Sequence, residues 1–197
     1  MNGKIRTVAG LMALVFASSA LADDAVTYDA KGHLAFPAGY REWVFLSSGF
    51  DMSYVDTPTP MHMFDNVFVN PSAYRAFKET GTWPDKTIFV LEARGAQSKG
   101  SINKSGSYQN RETMGFEIHV RDSSRFKDNW AFFHFDKPEG AAIEMKHTAA
   151  CYSCHQAHAA VDTTFTQFYP TLIGIAEDKK TLSANYLKEQ AAPTPKP

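Results

Sequence analysis

The sequence predicts an α+β fold, in which a mainly antiparallel β-sheet of about five strands has its helices on one side. Two observations support this class. Segments rich in β-branched and aromatic residues follow one another between residues 41 and 135, with short connections that favour antiparallel pairing. Most segments with helical signals come after residue 138, so strands and helices are largely segregated along the chain.

The segments with the composition of strands span residues 41–47, 66–69, 87–93, 114–121 and 130–135. A helix is expected after the second strand and extends to Lys78. Asn70 or Ser72 can cap this helix, Pro71 suits its first turn, and Gly81 follows its end.

Loops and later helices complete the prediction. Residues 95–110 are rich in Gly, Ser, Lys and Asn and indicate a mobile connection, whereas residues 122–126 indicate a capped turn. Further helices are expected over residues 138–147, 151–159 and 164–175, the last of them interrupted by a proline.

The most specific motif is the Cys-Tyr-Ser-Cys-His sequence of residues 151–155. Two cysteines separated by two residues and followed at once by histidine are typical of c-type haem attachment. Each thiol can add to one vinyl group of the porphyrin, and the adjacent imidazole can bind the iron. Cys151 and Cys154 are the only cysteines of the chain. We therefore predict one covalent haem c near the C-terminus, with His155 as its iron ligand.

Two other chemistries use a pair of cysteines at this spacing. A redox disulfide of this type usually lies in a βαβ unit, with a strand directly before the motif. A zinc site usually needs four ligands. His158 can serve as a third ligand beside the two cysteines, and no convincing fourth ligand follows it. The position of the motif after a strand-rich region favours haem attachment.

Residues 1–22 have the features of a secretory signal, with basic residues at the start, an apolar stretch at residues 8–16 and a small-x-small cleavage site at residues 20–22. The apolar stretch is too short to span a bilayer, although an uncleaved anchor is the alternative. We expect cleavage after Ala22 and export to the periplasm. Export agrees with the haem prediction, because bacteria attach c-type haem outside the cytoplasm.

Residues 23–185 are long enough to form a single haem domain with a hydrophobic core. Residues 186–197 are rich in Ala and Pro and predict a disordered tail. The net charge of −1 argues against a nucleic-acid partner. The 15 Phe, 8 Tyr and 3 Trp suit a porphyrin enclosed in apolar walls, although aromatic residues more often form ordinary core.

An ordered set of short motifs accompanies the cysteines, at residues 39–43, 67–74, 77–85, 122–126, 129–132 and 165–170. Together they cover most of residues 32–172, and in this order they resemble cytochrome P-460 and its relative cytochrome c′-beta. The resemblance implies a homodimer of mainly antiparallel sheet, with a five-coordinate haem whose open face looks at the sheet. Such proteins convert hydroxylamine or handle nitric oxide in the periplasm, so a small gaseous or nitrogen ligand is expected. A periplasmic electron-transfer partner is consistent with this chemistry.

The sequence departs from the family at one position. In the oxidative members, a lysine on the strand after the Trp-Pro-Asp turn is joined covalently to the porphyrin. Alignment of that strand with residues 87–92 places Leu91 at the lysine position, and leucine has no nucleophilic nitrogen. Lys86 lies an odd number of residues away and points to the opposite face of a regular strand. The resemblance therefore favours the c′-beta type, in which apolar side chains crowd the open face.

Phe89 and Leu91 share one strand face by the period of two. The alignment places this face over the iron, which makes both residues candidate haem contacts that cap the open side. The alternative is ordinary packing between the sheet and a helix.

Glu117 is the candidate catalytic residue, since family members similarly carry glutamate there and a carboxylate near the iron can relay protons. It can equally serve the structure by pairing with Arg41 or Arg121. His119 and His134 lie on neighbouring strands, and either can face the haem or pack in the sheet.

Three functions remain open at this point. The first is a gas-binding or gas-detoxifying haem protein that acts on nitric oxide or a similar ligand. The second is an oxidoreductase for hydroxylamine or a related nitrogen compound. The third, electron transfer, needs two strong axial ligands, and the sequence offers no clear sixth ligand.

Overall fold

The computed structural model describes residues 25–54 and 61–192, and the predicted secretory signal at residues 1–22 lies outside them. The strands are β1 (Leu34–Ala35), β2 (Val44–Phe50), β3 (Met63–Val69), β4 (Ile88–Gln97), β5 (Tyr108–Arg121), β6 (Trp130–Phe135) and β7 (Ala141–Ala142). The helices are α1 (Pro71–Thr80), α2 (Ala150–His158), α3 (Ile173–Lys179) and α4 (Ala184–Ala191), with 3-10 turns at Tyr40–Glu42 and Thr166–Phe168. In this part of the chain, no helix is long and apolar enough to cross a lipid bilayer.

The main sheet contains β2 to β6 in chain order, and every neighbouring pair is antiparallel. Strands β1 and β7 form a separate antiparallel pair. This arrangement confirms the predicted α+β class with a mainly antiparallel sheet. β4 and β5 lie at the centre of the sheet, so both of their backbone edges are paired.

The two faces of the sheet are covered by different parts of the chain. Alternate side chains of the central strands pack on the N-terminal segment and form one core cluster, which includes Leu34, Phe36, Tyr40, Ile88, Val90, Phe116 and Ile118. The opposite face packs on α1, α3 and the segment before α3, and that cluster includes Val69, Phe77, Trp83, Phe89, Leu172 and Ala176. The helices that pack on the sheet therefore lie on one side of it, as predicted.

Helix α1 begins and ends close to the predicted positions. Pro71 occupies its first turn, and Gly81 follows it in the left-handed region at φ 74°, a conformation that suits glycine. The Asn70 side chain accepts a hydrogen bond from the Ile88 backbone N–H at 3.0 Å. This bond ties the start of α1 to the start of β4.

The helix predicted over residues 138–147 is wrong. Gly140 adopts φ 82° and turns the chain, after which Ala141 and Ala142 pair with Ala35 and Leu34. The local pattern resembled that of a helix, but the segment forms the short strand β7 instead. Pairing of β7 with β1 stabilises this segment more than a local helix does.

Other boundaries also differ from the prediction. β3 begins at Met63, and β4 and β5 extend to Gln97 and from Tyr108, so they shorten the connection predicted over residues 95–110. The first long strand begins at Val44 because the preceding residues form a 3-10 turn. The helix expected over residues 164–175 is divided, with a 3-10 turn before Pro170 and α3 after it, as a proline in a helix interior requires. The boundary expected at residue 186 lies inside α4, whose N-terminus is capped by the Ser183 hydroxyl. Residues 193–197 of the predicted tail lie outside the described residues.

Candidate haem site

One face of the main sheet and helix α2 enclose a cavity of about 370 Å³. All residues that the sequence predicted for the site line this cavity, namely Phe89, Leu91, Glu117, Cys151, Cys154 and His155. Most of the remaining wall is apolar and includes Val67, Phe132, Phe165 and Tyr169. The structure thus brings the cysteine–histidine motif of α2 to the sheet face that carries Phe89 and Leu91, as predicted.

Cys151 and Cys154 are both free thiols and both half-buried. They are three residues apart on α2, so they lie on the same face of the helix. Burial raises the pKa of the Cys151 thiol. Both sulfurs are therefore available to one edge of a ligand in the cavity.

The imidazole of His155 is held by one of its two nitrogens. Nδ1 lies 2.7 Å from the backbone carbonyl oxygen of Thr163, so Nδ1–H donates to this carbonyl and Nε2 is left without a proton. Burial lowers the pKa of His155, which keeps the ring neutral. A neutral imidazole oriented by a carbonyl is the form in which histidine binds a metal.

The register of the sheet orders its cavity face into two rows of side chains. One row contains Val69, Phe89, His119 and Phe132, and the next contains Val67, Leu91, Glu117 and His134. The His155 ring packs on the first row, with centroid distances of 4.7 Å to Phe132 and 5.2 Å to His119. Within each strand, the residue of the second row is two positions away from that of the first row, which corresponds to a separation of about 7 Å.

Phe89 belongs to the first row, on which the imidazole packs, and its role as a cap of the iron stays a prediction. It is 4% exposed and packs on Trp83 at 4.7 Å and Tyr169 at 6.1 Å, in the row that carries the imidazole. Leu91 is half-buried in the second row, and its role as a cap likewise stays a prediction.

Glu117 lines the cavity with an exposed side chain. Its predicted structural partners are engaged elsewhere, because Arg41 pairs with Glu92 and Arg121 pairs with Asp162 at 3.0 Å. Within residues 25–54 and 61–192, the Glu117 carboxylate makes no hydrogen bond or ion pair. The carboxylate is therefore available to a ligand in the cavity.

Asp65 is a second carboxylate in the cavity, and the sequence prediction missed it. It lies on β3 and shares the inward face of that strand with Val67. Burial, and then the nearby charge of Glu117, raises the pKa of Asp65 from 3.8 to about 6. The available signal was a lone charge in an apolar strand, but the predicted strand began one residue too late to include it.

The two sheet histidines differ in their surroundings. His119 is 7% exposed, and burial followed by the proximity of His155 lowers the pKa of His119 well below its usual range. His134 is exposed and lies 3.2 Å from the Asp136 carboxylate. His119 lies beside the His155 ring, at a centroid distance of 5.2 Å.

These residues fit a haem. The cavity offers two thiols on one helix face, a neutral imidazole with an available Nε2 and a mostly apolar wall. The fold and the site together define an α+β haem protein whose cofactor pocket lies on one face of an antiparallel sheet. The family model for cytochrome P460 matches residues 37–166, which is more than half of the chain. The chain therefore belongs to the cytochrome P460 family, whose haem proteins act on nitrogen compounds. No curated protein matches the chain at a significant level.

Asp65 gives the haem-free protein a characteristic pH dependence. Its folded-state pKa of about 6 exceeds the ordinary value of 3.8, so ionisation is less favourable in the folded chain. The penalty is absent below about pH 4 and complete above about pH 6, so the free energy of unfolding falls as the pH rises through this window. We expect Asp65→Asn to raise the free energy of unfolding at pH 7 by about 1 kcal/mol, after allowance for partial exposure.

Urea denaturation at pH 4 and pH 7 measures this effect. At pH 4 the variant and parent should have equal stability, and Asp178→Asn, at an exposed position of α3, should match the parent at both pH values. Equal stability of Asp65→Asn and the parent at pH 7 would contradict the proposed burial of this carboxylate.

Proposed function

We propose that the chain carries one haem c, joined through Cys151 and Cys154 with His155 as axial ligand, and binds nitric oxide or a similar small nitrogen ligand at the opposite iron face. One observation carries this proposal. Both thiols and an imidazole whose Nδ1 is already engaged line the same largely apolar cavity. When bound, the haem supplies an iron that can bind a small ligand and exchange electrons with it.

The side chains of the cavity support a five-coordinate iron. His119 lies beside His155 rather than opposite it. In the second row, Val67 and Leu91 cannot bind a metal and His134 does not line the cavity, and we assign Glu117 to proton relay rather than to the iron. An apolar side chain at position 91 excludes water and leaves room for small neutral molecules. The absence of a nucleophilic nitrogen at this position supports the c′-beta type over a cross-linked haem.

A second candidate function is the oxidation of hydroxylamine. The observation that favours it is that two carboxylates, Asp65 and Glu117, line the cavity. Hydroxylamine oxidation releases protons together with electrons, and a carboxylate with a pKa of about 6, such as Asp65, can accept a proton near neutral pH. Hydroxylamine-dependent reduction of an added electron acceptor would favour this candidate over simple ligand binding.

We further propose that residues 1–22 direct export to the periplasm and that the mature protein forms a homodimer, as the family resemblance implies. Support for self-association comes from β2, an edge strand on which Phe45 is 54% and Phe50 46% exposed. If the protein oxidises a nitrogen compound such as hydroxylamine, a periplasmic electron-transfer partner must accept the electrons that are released.

Leu91→Ala is expected to widen access to the iron. The association rate for carbon monoxide and nitric oxide should rise by about tenfold, which corresponds to roughly 1.4 kcal/mol of steric barrier. Because Leu91 is only half-buried, the free energy of unfolding should fall by about 1–2 kcal/mol. Flash photolysis of the carbon monoxide complex and stopped-flow mixing with nitric oxide measure these rates.

The matched control is Phe89→Leu, which changes a buried side chain in the first row, next to His119. It should lower stability and leave the association rate unchanged. An unchanged rate in Leu91→Ala, or a faster rate in Phe89→Leu alone, would show that Leu91 does not cap the iron.

A further inference from the structure

Thr163 contacts two histidines at once. Its backbone carbonyl accepts the Nδ1–H bond of His155 at 2.7 Å, and its hydroxyl oxygen lies 3.3 Å from Nε2 of His119. One residue therefore joins the predicted axial ligand of α2 to a histidine of the central strand β5. The family match and the sequence motif assign no role to this pair.

His119 is a rigid point of attachment. It lies on β5, which is hydrogen-bonded to β4 on one side and β6 on the other. Its ring stacks on Phe132 at 4.0 Å with an interplanar angle of 10°, and contacts Trp130 at 4.4 Å. The imidazole is thus fixed by the sheet on which it lies.

The loop that contains Thr163 is held from both sides. The next residue, Thr164, donates its backbone N–H to the Val161 carbonyl at 2.9 Å, and its hydroxyl accepts from Trp83 Nε1–H at 2.8 Å. On the side of the cavity, the hydroxyl of Thr163 is linked to His119. The position of the Thr163 carbonyl therefore depends on this link to the sheet.

We propose that His119 and Thr163 act as a pair that positions the axial imidazole of His155 and sets the strength of its Nδ1–H bond. A strong bond from Nδ1–H to a carbonyl gives the ring more imidazolate character, so Nε2 becomes a better donor to a metal. His119 is accordingly a positioning residue, acting on His155 through the carbonyl of Thr163. This inference rests on the haem attachment proposed above.

The holoprotein tests the pair through the iron–histidine bond. Thr163→Val removes the hydroxyl and keeps the shape of the side chain and the backbone carbonyl. We expect the iron–histidine stretching band in the resonance Raman spectrum of the ferrous protein to move to lower frequency, and the reduction potential to rise. Thr163→Ser restores a hydroxyl and should return both values to those of the parent.

His119→Phe removes Nε2 and retains a ring that can stack on Phe132. His119→Phe should shift the iron–histidine band in the same direction as Thr163→Val. The double variant, with both substitutions, should shift this band no further than the single variant that has the larger effect. Thr166→Val is the matched control, because it removes a buried threonine hydroxyl of the same segment that bonds to Trp83 and Thr164 rather than to a histidine. Its band should coincide with that of the parent.

The possible outcomes separate this inference from the proposed function. A parent protein without covalent haem would overturn the proposed function. Variants that load haem to the parent level and keep the parent band and potential would overturn only the role of the pair. If His119→Phe does not fold, Thr163→Val and Thr163→Ser decide the question alone.

Discussion

Replacement of both Cys151 and Cys154 by alanine is expected to abolish covalent haem attachment. The chain has no other cysteine, and both thiols line the cavity beside His155. Without thioether bonds, the porphyrin is held only by one axial bond and apolar contacts. Acid-acetone extraction should leave the pigment with the parent protein and remove it completely from the variant. Each single alanine variant should lose most of its holoprotein, since one thioether and the alignment of His155 are lost together.

His158→Ala provides the control for this experiment. His158 is on the same helix, but its exposed ring contacts Glu189 at 3.3 Å and lies outside the haem cavity. This variant should retain the full amount of covalent haem. Extraction of the pigment from the parent protein would contradict c-type attachment.

The second large effect is expected on the opposite face of the sheet. Glu92 is 1% exposed and accepts hydrogen bonds from the Tyr40 hydroxyl and from the Arg41 and Arg94 guanidinium groups. Burial, and then the hydrogen bond to Glu92, raises the pKa of Tyr40, so the phenol keeps the proton that it donates. Glu92→Ala should lower the free energy of unfolding by about 3 kcal/mol, because it leaves the mostly buried Arg94 without its carboxylate.

Urea denaturation measures this loss, and Glu92→Gln should give a smaller one because the amide oxygen can still accept a hydrogen bond. Glu112→Ala, at an exposed position of β5, is the matched control and should change stability by less than about 0.5 kcal/mol. Equal stability of Glu92→Ala and Glu112→Ala would show that the buried charge cluster does not stabilise the fold.

Much of the fold was predictable because its signals are local. Alternation and composition located every strand of the main sheet, and the Pro71 and Gly81 signals located α1. The helix predicted over residues 138–147 failed because β7 pairs with β1, more than a hundred residues earlier in the chain. A pairing at that sequence distance leaves no pattern in the segment itself.

For the site as well, some features were predictable from the sequence and others were not. The spacing of Cys151, Cys154 and His155 is confined to one helix turn and was visible from the sequence. So was the shared strand face of Phe89 and Leu91, because period two is a property of a single strand. The sequence did not show which of these two rows carries the imidazole, since that depends on how α2 packs on the sheet.

By itself, therefore, the sequence determined the α+β class, the cysteine–histidine motif and the leucine at position 91. Only the tertiary structure decided that the His155 ring packs on His119 and Phe132, that Asp65 shares the cavity with Glu117, and that Thr163 joins His119 to His155. The physical reason is that strand register and helix packing bring together side chains from distant parts of the chain. The pKa and accessibility of each such group follow from neighbours that its own segment does not contain.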